Sequence, residues 1–146
     1  MPDRYFTFDE AQTLLPVLES LLRAAVDSKQ TIAAVESEFD ELRQRIFVNG
    51  GTSVDVLSLA RRRAQKDKAV QRATDTLAEI DSIGVQVKDI ETGLLDFPCV
   101  VEDKVILLCW KMGEKAITHW HGKEEGFKGR KPIDERITKS KKKRPN

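Results

Sequence analysis

The sequence predicts an α+β fold, a long antiparallel helical hairpin followed by a small antiparallel β-meander of about four strands. Three observations predict it. The apolar positions of the first half recur in steps of three and four, the helical period. After Gly84 the period changes to two, the strand period. A short glycine-bearing stretch, Asn49 to Ser53, divides the helical half in two.

The first helix begins with its own signal. Thr7 precedes Glu10 by three residues, and Asp9 and Glu10 suit the positive end of a helix. Ala11, Leu15, Leu18, Leu22, Ala25 and Ile32 then mark one face, which resumes at Val35, Phe39, Leu42 and Ile46. Pro16 lies inside the pattern and should kink it. Gly50 or Gly51 can close this helix in the left-handed conformation, and Thr52 or Ser53 can cap the next. The second helix is expected from about Val54 to Ser82, with Val56, Ala60, Ala64, Val70, Ala73, Leu77 and Ile80 as its stripe. A link this short implies antiparallel neighbours.

"VQVKDI", "LLDFPCVV", "VILLCWKM" and "AITHWH" read as four strands joined by tight turns. "VILLCW" is apolar on both faces, as a central strand covered on both sides would be. Pro98 has no N–H for a ladder, so its strand should have an edge or a bulge there. The expected organisation is one domain over about 1–133: hairpin about 7–82, sheet about 84–122, docking loop about 123–133. A basic, disordered tail is expected over 134–146.

Apolar residues make up 40% of the chain and charged residues 34%, a balance that suits a water-soluble domain with a modest core. No apolar run approaches the roughly 20 residues of a membrane span. "MPDRYFTFDE" lacks the basic end and apolar centre of a signal peptide, so a cytoplasmic location is expected. Cys99 and Cys109 have neither zinc-finger spacing nor the density of a disulfide scaffold, and read as reduced, buried thiols. The net charge of +1 hides an asymmetry, because nine Lys or Arg residues oppose two acids from Lys128 onward. Such a tail can meet nucleic acid or an anionic surface through charge alone, though no nucleic-acid-binding motif accompanies it.

Three blocks, "RYFTFDEAQTLLP", "GVQVKDIETGLLDFP" and "LLCWKMGEKAITHWHGKEEGFKGRKPI", occur in one order. Together they resemble the bacterial family called domain of unknown function 2203, from about Tyr5 to Ile133. The resemblance implies no activity and gives no residue a role. The lysine-rich end after Ile133 departs from the family pattern.

"ITHWHGKEEGF" holds the only two histidines. Residues two apart in a strand share a face, so His119 and His121 could chelate one divalent transition metal, with Glu124 or Glu125 as a third ligand. Otherwise no cofactor is expected, and the pair is a polar strand end beside Trp120. Register decides whether Cys109 can join. A two-residue turn at Gly113–Glu114 would pair Cys109 with Thr118 and put the thiol on the opposite face. A three-residue turn would reverse this, since a one-residue slip flips every side chain.

Asp89, Glu91 and Asp96 could form an acid–base pair or hold a hard cation, but turn chemistry and a partner for Lys88 or Arg130 is the preferred reading. "GFKGRKPI" could cradle an anion with Lys128 and Arg130, in a groove shared with Trp110, or simply dock a loop.

At about 1.5 Å per residue the first helix reaches roughly 60 Å, whereas strands of this length cover about 20–25 Å. Part of the hairpin must therefore protrude with an apolar stripe. The leading expectation is a self-associating, non-enzymatic interaction protein, a homodimer or higher oligomer through its helices. The alternatives are a metal-binding protein or metal-dependent enzyme centred on His119 and His121, and a ligand pocket under Trp110 and Trp120.

Overall fold

The structure is a computed structural model and describes residues 4–51 and 53–140. Helix α1 spans Phe8–Asn49 and packs antiparallel on α2, Val56–Ile83. A five-stranded antiparallel sheet follows in the order β1-β2-β3-β4-β5. Its strands are β1 Gln86–Asp89, β2 Leu94–Val101, β3 Lys104–Lys111, β4 His119–Gly122 and β5 Lys131–Pro132. A short helix, α2's distant successor α3, covers Glu135–Thr138.

Local chemistry sets the helix ends. The Thr7 hydroxyl accepts from Glu10 N while the Glu10 carboxylate accepts from Thr7 N, both at 3.1 Å. Gly50, at φ 66°, closes α1 in the left-handed region. The α2 cap is Asp55, which accepts from Ser58 N, rather than Thr52 or Ser53. Helix α1 continues through Pro16, whose side is exposed to solvent.

The proximal face of α1 follows the expected stripe. Ala11, Leu15, Leu18 and Leu22 are buried against Leu95, Phe97, Leu108 and Trp110 of the sheet. Phe6 meets Phe97 edge to face at 5.6 Å. The stripe on α2 differs from expectation. Val56 and Val70 are exposed, and Ala69, Ala73 and Ile80 are the buried positions. Arg62 and Lys66 occupy the distal seam, where their ion pairs with Glu38 and Glu36 leave the aliphatic stems to pack. The outer end of the hairpin thus buries little, and Phe47 is 89% exposed.

Glu102 and Asp103 join β2 to β3 with φ of 52° and 63°, the two-residue turn whose twist matches the strands. Pro98 lies beyond the reach of β1, and its carbonyl instead accepts from Phe6 N at 2.7 Å. That is a local edge, as a proline there requires.

Two expectations change. The β3–β4 link is not a two-residue turn. Trp110 Nε1 donates to the Glu114 carbonyl at 3.0 Å, and Ile117 N donates to Gln12 Oε1 at 2.8 Å. These bonds pull residues 112–118 off the ladder, and the chain re-enters it with Cys109 opposite His119. Order also continues past Ile133. Asp134 caps α3, Ile137 is fully buried in the core, and the Ser140 hydroxyl accepts from Phe8 N. Residues 134–140 are therefore part of the folded domain and not of the expected tail. Residues 141–146, with most of its lysines, lie outside the described residues.

Candidate functional site

The corrected register sorts the sheet into two faces. Leu95, Phe97, Cys99, Ile106, Leu108 and Trp110 face the helices. Asp96 is paired with Cys109, and Leu107 with His121, on the opposite face. Asp96, Cys109 and His121 thereby become neighbours from three adjacent strands. Each is nearly sequestered from solvent, at 1%, 2% and 3% exposure. One donor atom from each lies within 4.8 Å of the other two. Among the described residues this is the group able to converge on one ion. The two-residue-turn expectation, which separated Cys109 from the histidines, is overturned by the 112–118 excursion.

The imidazole has a defined orientation. His121 Nδ1 lies 2.8 Å from the Gly122 carbonyl, which can only accept, so Nδ1 carries a proton. Nε2 then faces Asp96 Oδ1 at 3.0 Å. Two lone pairs at that distance repel unless a proton or a metal ion lies between them. Asp96 Oδ2 has no hydrogen-bond partner among the described residues, and its nearest cation is Lys88 Nζ at 4.0 Å.

Lys88 follows Gln86, the partner of Asp96, by two residues and so shares its face, and a bulge falls at Lys88 itself. Val87 pairs with Leu95 and Asp89 with Leu94, so Lys88 is an extra residue in β1. On the other side the chain folds back after β4. Glu125 Oε1 accepts from Gly122 N at 3.1 Å and from Lys131 Nζ at 2.6 Å. Lys88, Leu94, Glu125 and Gly126 complete the walls of a cavity of about 160 Å3 over the three donor groups.

Burial governs the electrostatics. It raises the Asp96 carboxyl above its usual range, partly offset by His121 and Lys88. The Cys109 thiol is pushed up to about 11 by burial and by the Asp96 charge, against a smaller opposing effect of Arg130. Cys109 is therefore a protonated thiol near neutrality, not an activated nucleophile. Glu125 is held below the usual range, first by Lys131 and then by the Gly122 N–H.

The other expected site residues are dispersed. His119 lies outside the converging group, and its Nδ1 is 2.8 Å from the Thr118 hydroxyl. Glu124 is exposed, whereas Glu125 lines the cavity. Trp110 is fully buried on the helix face, away from the cavity, and Trp120 packs on the same side with Lys131 over its ring at 4.7 Å. Arg130 Nη2 donates to both Glu114 oxygens at 2.9 and 3.2 Å, which ties the guanidinium to the 112–118 excursion. Lys128 is exposed. Asp89 accepts from Glu91 N in the β1–β2 turn, the turn chemistry preferred for it. Asp96 is the residue whose importance sequence reasoning underrated. Its signal was a carboxylate at an inward position within an apolar strand.

Fold and site together define a small α+β protein with a buried Asp–Cys–His cluster opening on a cavity. The chain belongs to the family described as an uncharacterized conserved protein (DUF2203), which it matches over residues 4–133. No curated protein and no solved structure matches it.

Proposed function

We propose that this chain is a transition-metal-binding protein, with Asp96, Cys109 and His121 as the ligands. One observation carries the reading: His121 Nε2 and Asp96 Oδ1 face each other at 3.0 Å while Nδ1 is committed to a carbonyl. A ligating histidine commonly donates its other ring N–H in this way, which fixes the tautomer and aims the free nitrogen. Charge supports it as well. A divalent ion with one thiolate, one carboxylate and a neutral imidazole is neutral overall, so burial costs little. Mixed sulfur, nitrogen and oxygen donors suit zinc, cobalt or ferrous iron. Binding would release the thiol proton, since a coordinated thiol is deprotonated.

The test is elemental analysis and Co2+ titration of protein purified without an affinity tag. About one ion per chain is expected, with a thiolate-to-cobalt charge-transfer band. Cys109→Ser should abolish the band, His121→Ala should lower the ion content, and His119→Ala should change neither. Absence of Co2+ binding at micromolar protein, or a band that survives Cys109→Ser, overturns the reading.

A second reading concerns the other end of the molecule. Phe47, Val48, Val56 and Leu57 are exposed around the hairpin tip. Such a cluster favours association with a second copy of the chain. Light scattering should give a dimer or larger species, reduced by Phe47→Glu/Leu57→Glu. A monomer across the micromolar range rejects it.

A further inference from the structure

Three ligands leave a divalent ion with an open coordination position, the arrangement of reactive rather than purely structural zinc sites. The walls around Asp96, Cys109 and His121 say what could fill it. The cavity of about 160 Å3 is several times the roughly 30 Å3 of a water molecule, so it has room for a small polyatomic ion. Its two charged walls are Lys88 and Glu125. Glu125 is already engaged by Lys131 Nζ and by the Gly122 N–H. Lys88 has a weaker commitment, its Nζ standing 4.0 Å from Asp96 Oδ2.

Metal binding would change the balance at Lys88. Asp96 would spend its charge on the ion, and the ion with its thiolate and carboxylate would be neutral. The ammonium of Lys88 would then be the uncompensated charge on the cavity wall. We propose that the metal-loaded cavity binds a small oxyanion, with one oxygen on the ion and another on Lys88 Nζ. This rests on the metal-binding reading above. Lys88 lies two residues after Gln86, the cross-strand partner of Asp96, and so stands beside Asp96 at the mouth of the cluster. The cavity's volume suits a carboxylate or phosphate group, free or at the end of a larger molecule that extends into solvent.

The experiment uses the full chain loaded with Co2+. Sodium acetate and inorganic phosphate are titrated in turn while the visible d–d bands are followed. At least one should shift the bands saturably. Lys88→Met should weaken that anion about ten-fold or more, while Co2+ affinity stays within about three-fold. Lys88→Arg should restore most of the anion affinity. Lys128→Ala, outside the cavity, should leave it unchanged. Normal Co2+ bands that respond to neither anion overturn this proposal and leave the metal reading standing. So does an anion response that survives Lys88→Met. Failure to bind Co2+ at all overturns both.

Discussion

Gly93 and Gly50 allow a steric effect to be separated from a conformational one. Both have left-handed φ, +73° and +66°. An alanine at Gly50 would have no atom within 4 Å of its Cβ. At Gly93 the new Cβ would stand 2.7 Å from Met112 Cβ. Met112 cannot swing aside, because its Cβ is fixed by its own backbone, whose N–H donates to Gly93 O at 2.8 Å. Placing an L-residue in the left-handed region costs about 1–2 kcal/mol. A stiffer unfolded chain returns about 0.4–1 kcal/mol. Gly50→Ala should therefore lose about 1 kcal/mol. Gly93→Ala should lose roughly a further 1–3 kcal/mol from overpacking. Urea melts of the two variants beside wild type give the comparison directly. At about 2–4 °C per kcal/mol for a chain near this size, thermal melts should separate the variants by several degrees. Equal midpoints for the two would refute the reasoning. They would mean that the β1–β2 turn does not press on Met112, where β3 leaves the ladder.

Leu22→Ala should cost about 2–5 kcal/mol in the same melts, because Leu22 is fully buried between α1 and the sheet. Val17→Ala, half exposed one turn earlier, should stay within about 0.5 kcal/mol, and a similar loss in both variants would contradict the face assignment. Ile137→Ala should also cost about 2–5 kcal/mol; a silent substitution would mean that α3 is not part of the core. In metal-free protein the Cys109 thiol, at about 11, should react with iodoacetamide at pH 8 on the order of a hundred times more slowly than an ordinary thiol near 8.5. Its rate should keep climbing as pH approaches 11, because only the thiolate reacts and it forms late. An ordinary rate at pH 8 would show that the thiol is neither buried nor beside a carboxylate.

Features set by neighbouring residues were legible in the sequence. The Thr7–Glu10 box, the Gly50 stop and the local edge at Pro98 each depend on a few adjacent backbone groups. The α2 seam was misread because Arg62 and Lys66 fill it with aliphatic stems that a charge pattern counts as solvent-facing. The site was half legible. His121 stood out as a chelating residue, but its partners depend on the β3–β4 register. That register is set by Gln12, from a helix a hundred residues earlier, which takes the Ile117 N–H out of reach of the ladder. No turn rule applied to Met112–Thr118 contains that bond. Asp96 looked like a turn acid for the same reason, since only the register shows what stands beside it.

The bulge at Lys88 also bears on how the protein behaves in concentrated solution. An open sheet ends in two rows of unpaired backbone groups, and a long flat edge invites a strand from another chain. Here one edge is the four-residue β1, interrupted by the bulge and carrying a lysine. The other is the two-residue Lys131–Pro132, where proline offers no N–H. Neither edge gives an incoming strand a run of donors and acceptors to follow. Short, interrupted edges of this kind disfavour sheet-to-sheet polymerisation between copies of the chain.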